Sequence, residues 1–456
     1  MIYTVFLRWR LVAIKTGLFG FLLLFCSSNS FAQKSWTLQE CITYALDNNI
    51  SIKQSEISRD ISAINYTQSK ASFLPSLNGS SSYSYNFGRS VDPYTYNFTN
   101  QEIQSGNYSL SANLNLFNGL QLQKSLAQSN YEFLASNENL SKIKNDIALN
   151  VAAAYLQVLY SKESLKAANE RLESAQQTRS RTKIMVDAGS MAQGNLLDAD
   201  AALAAEELAV VNAENQLKSS LISLTQLLEI KSSDGFSVVD PVYDLPEQSS
   251  LTMTPDQIFE TSMKVLPEFR ASQYNIMSAE KSLSVAKGAR YPRLSLFGSI
   301  SSGYSNYTRR ITGETVPFKD QIDENFNKVV GLSLSIPLFN GYSTESNIKR
   351  SRLNLESVRY NDQQTKNQVY KSIVQAHADA SAGLKRLAAS EKAAISNAEA
   401  YTYAEKKYNV GMLSSIEFLN VRNNKSKAES DFLQAKYDLI FRIKVLDFYL
   451  GKPLTF

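Results

Sequence analysis

Leu116-Phe117-Asn118-Gly119 returns later in the chain as Leu338-Phe339-Asn340-Gly341, and a lone glycine follows each at the same separation, Gly189 and then Gly411. Between motif and glycine the chain runs about 70 residues without proline, rich in Ala, Leu, Gln, Glu, Lys and Ser, which as helix spans roughly 105 Å. A length held equal in two otherwise diverged copies points to a fixed physical span.

The periodicity inside these stretches is that of packed helices. Val151, Ala154, Val158, Ser161, Leu165, Ala168, Leu172 and Ala175 alternate steps of three and four, and the second copy keeps the phase with Ile373, Ala376, Ala380, Gly383, Leu387, Ser390 and Ala394. Large residues on one seam and small ones on the other suit close helix approach. Past each glycine a second helix returns, with Leu196, Leu203, Val210, Leu217 and Leu224 in one copy and Phe418, Phe432, Leu439 and Leu446 in the other, where Lys425 interrupts. Gly189 and Gly411 suit the left-handed residue that closes a helix. Each copy therefore ends in an antiparallel helical hairpin, and heptads alone do not distinguish a bundle from a tube.

Upstream of each long helix the period changes to two. Leu77, Tyr83, Tyr85 and Phe87 share one face while Asn78, Ser80, Ser82, Ser84 and Asn86 share the other, and Tyr108, Leu110, Ala112, Leu114 and Leu116 oppose Asn107, Ser109, Ser111, Asn113 and Asn115. The second copy repeats this with Leu294, Leu296 and Ile300, then with Val330, Leu332, Leu334, Ile336 and Leu338 against Gly331, Ser333 and Ser335, with Phe297 intruding on the polar face. Four such strands match outer-membrane strands, lipid on one side and water on the other. They cannot close a barrel alone, because open edges in lipid strand backbone groups, so several chains must share it. A dimer makes eight strands, with an interior filled by side chains. A trimer makes twelve and leaves a lumen, which the Ser and Asn face favours. Tyr94, Tyr96, Phe98, Tyr304 and Tyr307 in the connections fit interface belts or surface loops.

The amino terminus reads as an export signal. Arg8, Arg10 and Lys15 precede an apolar run from Leu18 to Cys26, and Ser30-Phe31-Ala32 offers a cleavage site. Residues 1–32 are thus expected to be removed. Lipidation of Cys26 is the competing reading, against which stands the bulky Phe25 before it. The chain has 47 Lys and Arg against 43 Asp and Glu, and three of the cations lie in the leader, so the mature protein is nearly neutral and nucleic acid is a poor partner. Cys41 is then its one cysteine, which excludes an intramolecular disulfide. The single histidine, His377, has no companions for a metal set, and a structural or solvent-facing role is expected for it. No phosphate loop, zinc-protease helix or nucleophile elbow is present. Neither enzyme activity nor a cofactor is expected.

The order of these elements resembles the TolC-like outer membrane efflux family over nearly the whole mature chain. The carriers are the duplicated strand, strand, long helix, glycine turn and return helix, with Tyr408-Asn409-Val410-Gly411-Met412-Leu413 followed by Glu417-Phe418-Leu419-Asn420. Val186-Asp187-Ala188-Gly189-Ser190-Met191, with Asn195-Leu196-Leu197-Asp198-Ala199, is the weaker first copy. Phe73-Leu74-Pro75-Ser76-Leu77 and Arg290-Tyr291-Pro292-Arg293-Leu294 match as strand entries.

The resemblance implies an α+β membrane protein. It implies a homotrimer with a shared twelve-stranded barrel in the outer membrane of a Gram-negative bacterium and a long periplasmic tunnel of coiled-coil hairpins. The first repeat would occupy 33–230, with strands near 76–87 and 107–117 and helices near 118–187 and 194–229. A linker near 231–255, containing Asp240-Pro241 and Leu245-Pro246, precedes the second repeat at 256–456, with strands near 293–304 and 329–338 and helices near 341–409 and 415–450.

Function follows from the same resemblance. A passive duct would export what an inner-membrane transporter and a periplasmic adaptor deliver. The tips, Asp187, Ala188, Gly189, Ser190 and Met191 together with Asn409, Val410, Gly411, Met412 and Leu413, would dock the adaptor. Glu417, Asn420 and Asp198 would ring the entrance. Relatives carry an acid where Asn420 stands, and some carry an arginine where Leu413 stands, so apolar contacts of Met412 and Leu413 are expected to share in closure. A non-conducting coiled-coil envelope or adhesion protein is the alternative, and an acid pair such as Asp198 with Asp200 is the slender case for catalysis. The cargo, the pump class and the resting state of the tip are not encoded in any motif. The lack of His and Met clusters speaks against a dedicated soft-metal route.

Overall fold

The computed structural model describes residues 35–91, 96–99, 102–239 and 248–453. The leader with Cys26, Tyr94, and the two proline pairs of the linker lie outside them. In chain order the elements are β1 (Ser35–Trp36), α1 (Leu38–Asn48), α2 (Ile50–Ala71), β2 (Ser76–Asn86), β3 (Ser90–Val91), β4 (Phe98–Thr99), β5 (Ile103–Phe117), α3 (Gln121–Asp187) and α4 (Gln193–Leu227). They continue as β6 (Ser237–Val238), a 3-10 turn (Gln248–Thr252), α5 (Pro255–Val265), α6 (Pro267–Gly288), β7 (Arg293–Ser305), α7 (Phe318–Glu324), β8 (Asn327–Ser335), α8 (Ser343–Asn409) and α9 (Ser415–Tyr449).

The two long helices have the same length, 67 residues each, and so do the return helices, 35 residues each. At 1.5 Å per residue the long ones reach about 100 Å. The repeated Leu-Phe-Asn-Gly motif builds the turn from strand to helix. Two successive left-handed residues reverse the chain, Gly119 and Leu120 (φ 68° and 62°) in one copy, Gly341 and Tyr342 (φ 61° and 60°) in the other. The preceding asparagine then caps the helix: Asn118 Oδ1 accepts from the Leu122 N–H at 3.4 Å, and Asn340 Oδ1 accepts from the Thr344 N–H at 3.5 Å. The turns start the helices at 121 and 343, slightly later than the sequence pattern indicated.

β2, β5, β7 and β8 form one antiparallel sheet in the order β2-β5-β7-β8. Its register puts Ser80 opposite Ser109 and Ser84 opposite Ser105, with their hydroxyls 2.7 and 2.8 Å apart, and Ser295 bonds Asn115 at 3.2 Å. The reverse face carries Tyr83, Tyr108, Leu110, Leu296, Ile300, Val330, Leu332 and Leu334. Two details correct the sequence reading. A bulge shifts the register between Asn115 and Phe117, so Phe117 pairs with Leu294 and Leu116 is the extra residue. β8 ends at Ser335, leaving Ile336 and Leu338 outside it, because Pro337 has no N–H to continue the ladder. Phe297 does lie on the Ser and Asn face, its ring over Gly331, where a Cβ would come within 2.6 Å of it; the missing side chain is what lets the ring lie flat. Tyr304, at the expected end of its strand, lies within β7 and packs on Phe318 of α7 at 5.2 Å.

Below the sheet α2, α3, α6 and α8 lie side by side, and farther down α3 pairs with α4 and α8 with α9. Val151, Val158, Ser161, Ala168 and Ala175 are buried along the expected seam, as are Ile373, Ala380, Gly383 and Leu387, while Leu165 and Leu172 are half-buried. At Gly383 a Cβ would already sit 3.3 Å from Leu439 Cδ1, which shows how close α8 and α9 approach. Midway, β1 pairs with β6 in parallel, and the Tyr155 hydroxyl reaches the Val239 and Trp36 carbonyls at 2.9 and 3.2 Å. Cys41 belongs to this core, and burial pushes its thiol up to about 12, with Glu40 adding to the shift, so it is an unreactive packing group. His377 is half-buried on α8. Among the described residues no helix is long and apolar enough to cross a membrane.

Candidate functional site

The hairpin tips are two copies of one turn. Gly189 (φ 74°) and Gly411 (φ 75°) accept the left-handed conformation, and a Cβ would meet nothing within 4 Å at either, so conformation alone calls for glycine. The Ser190 N–H returns to the Met185 carbonyl at 2.9 Å and the Met412 N–H to the Lys407 carbonyl at 2.9 Å, the six-to-one bond that closes a helix at a left-handed residue. Asp187, Ala188, Gly189 and Ser190 are exposed at the first tip, as are Asn409, Val410, Gly411 and Met412 at the second.

Met191 and Leu413 behave differently from their neighbours. Both are half-buried and pack onto a cluster of Ala404, Tyr408 and Phe418. There the Tyr408 ring stacks on Phe418 with centroids 4.6 Å apart, and Tyr401 adds a contact at 5.6 Å. Met191 thus carries an apolar group of the first hairpin into the second. Of the two side chains expected to share in closure, Leu413 is largely used inside the chain, whereas Met412 is 76% exposed beside Val410 and Ile416.

Glu417 has a local task. Its Oε2 accepts from the Ser414 hydroxyl at 2.8 Å and the Ser414 N–H at 3.1 Å, while the Glu417 N–H donates back to Ser414 Oγ at 3.3 Å. This capping box starts α9. The first copy has Ala192 and Asn195 at those places and no side-chain cap. The Ser414 hydroxyl and N–H hold the Glu417 carboxyl below the usual range. Its contribution to the cap is therefore full above the unfolded pKa and is lost as pH falls through the folded one. We expect amide exchange in the first turn of α9, but not of α4, to quicken on acidification below about pH 4.3.

Asp198 accepts from the Ser415 hydroxyl at 2.6 Å, so the return helices are joined near their starts. Arg181 donates to Asn409 at 2.8 Å, a second tie between hairpins, and Asn420 is exposed. Asp200 pairs instead with Arg179 at 2.7 Å, so the two acids once considered as a catalytic pair have separate partners. One turn region higher, Glu206 of α4 lies between Arg171 of α3 at 3.4 Å and Arg422 of α9 at 3.6 Å, with Glu206 and Arg422 buried. A cleft of about 340 Å³ runs between α3 and α9 beside them. Sequence reasoning missed both the aromatic cluster and this ionic one. Tyr401 and Tyr408, spaced by seven on α8, were a readable signal for the first; nothing local marks the second. Among the described residues no His, Cys, Asp and Glu group is placed to hold a metal.

A chain that combines a strand sheet of this kind with two equal hairpins has known relatives. It is 23% identical over 448 residues to outer membrane efflux protein BepC of Brucella suis biovar 1 (strain 1330), covering 96% of this chain and 90% of that protein. It is 22% identical to outer membrane protein TolC of Vibrio cholerae serotype O1 (strain ATCC 39315 / El Tor Inaba N16961), covering 91% and 90%. The Campylobacter jejuni CmeC outer membrane channel superposes with a TM-score of 0.77 at 19% identity, over 91% of this chain and 85% of that one, which establishes the TolC-like α+β fold. The family described as "Outer membrane efflux protein" matches twice, over residues 41–229 and 264–452, one match per repeat, and the chain belongs to that outer membrane family.

Proposed function

We propose that three copies of this chain close into one duct across the outer membrane and the periplasm, through which cargo passes without energy input from the protein itself. The observation that carries the reading is the sheet: apolar on one face, Ser and Asn on the other, and unpaired along both β2 and β8. A backbone edge left open in lipid costs several kcal/mol per group, so β8 of one copy needs β2 of the next. The helices agree on the same two edges. Ile50, Ile57, Ile61 and Ile64 make an exposed apolar stripe on α2, and Leu197 and Leu208 are exposed on α4. Leu353, Tyr360, Ile395 and Tyr403 expose the complementary stripe down α8. Each chain is a stave with matching sides, and twelve strands leave a lumen wide enough for water.

In this reading a periplasmic adaptor and an inner-membrane transporter deliver cargo to the tips, where residues 187–191 and 409–413 dock. Glu417, Asn420 and Asp198 surround the entrance. Because Leu413 is tucked inward, apolar closure falls mainly to Met412. Single-channel recording from the purified protein in planar bilayers tests the duct. Discrete, long-lived conductance steps are expected, and their absence from correctly assembled protein would leave a non-conducting envelope anchor as the function. Cysteines at Met191 and Met412, cross-linked in cells, should capture the adaptor.

The acidic entrance has its own test. Glu417→Ala should lower cation preference severalfold at 10 mM salt, where the Debye length is about 30 Å, and hardly at all at 1 M, where it is about 3 Å. Ser414→Ala removes the cap but keeps the charge, and should retain the preference. Equal behaviour of the two variants would tie the effect to the helix start and sink the electrostatic role.

A further inference from the structure

Where β8 turns into α8, a cleft of about 280 Å³ lies between that turn and the α6–β7 turn. Its walls carry two kinds of chemistry. Leu338, Phe339 and Tyr342 are 92, 80 and 72% exposed, and Phe339 and Tyr342 meet edge to face at 6.0 Å. Deeper in, Arg290 forms an ion pair with Glu345, both about half-exposed. The Arg290 guanidinium holds the Glu345 carboxyl below the usual range, so both charges are present at neutral pH. Thr344 also lines the cleft, at the N-terminal turn of α8, the positive end of the helix dipole.

We propose that this cleft binds the head group of a zwitterionic phospholipid, phosphate toward Arg290 and the start of α8, primary ammonium toward Glu345, with the acyl chains along Leu338, Phe339 and Tyr342. The site rests on the duct reading for which face of the sheet meets lipid. Charge complementarity selects the occupant. A neighbouring copy, the other candidate to cover this edge, presents Phe73-Leu74-Pro75 at its strand entry, an apolar turn with Phe73 36% and Leu74 67% exposed. Pressing that turn onto the Arg290–Glu345 pair would remove its water and leave the two groups no polar partner beyond each other. A head group with one anion and one cation supplies both. The first repeat carries Phe73 and Gln123 where the second has Arg290 and Glu345, so the site exists once per chain.

The test is native mass spectrometry of the detergent-purified full chain, titrated in turn with phosphatidylethanolamine, phosphatidylcholine and phosphatidylglycerol. One phosphatidylethanolamine per chain is expected, held about tenfold more tightly than the other two, because a quaternary ammonium cannot donate to Glu345 and glycerol carries no charge. Glu345→Gln should erase that preference, Arg290→Gln should weaken all three lipids through their shared phosphate, and Glu345→Asp should keep the preference. Phe339→Ser should weaken all three lipids alike. Equal binding of the three lipids by wild type, or a preference that survives Glu345→Gln, overturns the proposal, as does a trimer that retains no lipid. The oligomer mass appears in the same spectra, so a monomer that prefers phosphatidylethanolamine would count against the trimeric duct and for the lipid site.

Discussion

Gly119→Ala should abolish the folded chain, while Gly341→Ala, at the same place in the other copy of the motif, should leave the chain folded and only modestly weakened. Both glycines are left-handed, at φ 68° and 61°, and a Cβ in that region costs about 1–2 kcal/mol. At Gly341 the added carbon meets nothing of its own chain within 4 Å, so within the chain conformation is the whole cost. At Gly119 it would lie 2.2 Å from the Gly288 carbonyl oxygen and 2.9 Å from Tyr291 Cβ. Those are backbone and Cβ atoms, which cannot swing aside. The turn into α3 would have to part from the end of α6, and we expect a total loss above about 4 kcal/mol. Because membrane proteins commonly unfold irreversibly, the readout is the fraction of chain recovered folded in detergent, not an equilibrium midpoint. Similar recovery of the two variants would show that the Gly119 contact carries no special weight.

Glu206→Ala should loosen the lower hairpins more than any other single charge removal. One carboxylate serves Arg171 and Arg422 from different helices, and Arg422 is only 7% exposed. Removing the acid leaves two cations facing each other with little water, at a cost of about 3 kcal/mol. Hydrogen exchange around residues 171 and 422 should quicken roughly a hundredfold, and channel conductance should rise as α9 separates from α3 and α4. A variant in which Glu206, Arg171 and Arg422 are all replaced by Leu should recover most of the protection, since no buried charge is left unpaired. If Glu206→Ala exchanges at the wild-type rate, the cluster is solvated decoration.

Some of this was readable residue by residue. The tip glycines announce themselves because a helix ends where only a left-handed residue can close it, and the sheet faces follow from a period of two in Ser and Asn against Leu and Tyr. Glu417 was recognised as notable but for its charge; that it caps α9 follows from Ser414 three residues before it, a local pattern available in the sequence. Met412 and Leu413 could not be told apart, since which of two adjacent apolar side chains turns inward depends on where Tyr408 and Phe418 stand.

Sequence by itself determined the periodicities and the equality of the two copies, with the structure setting the lengths at 67 and 35: long helices of about 70 residues followed by shorter returns, the strand alternation and the glycine at each tip. These are properties of neighbours along the chain, where sterics and hydrogen bonding act within a few residues. Tertiary structure alone decided that Gly119 touches Gly288, that Met191 enters the second tip, that Glu206 stands between two arginines, and that Arg290 and Glu345 share a cleft with the exposed aromatics. Each of these joins elements far apart in sequence. Their side chains meet only because helices and strands of set length bring them to the same height, and no local pattern records that meeting.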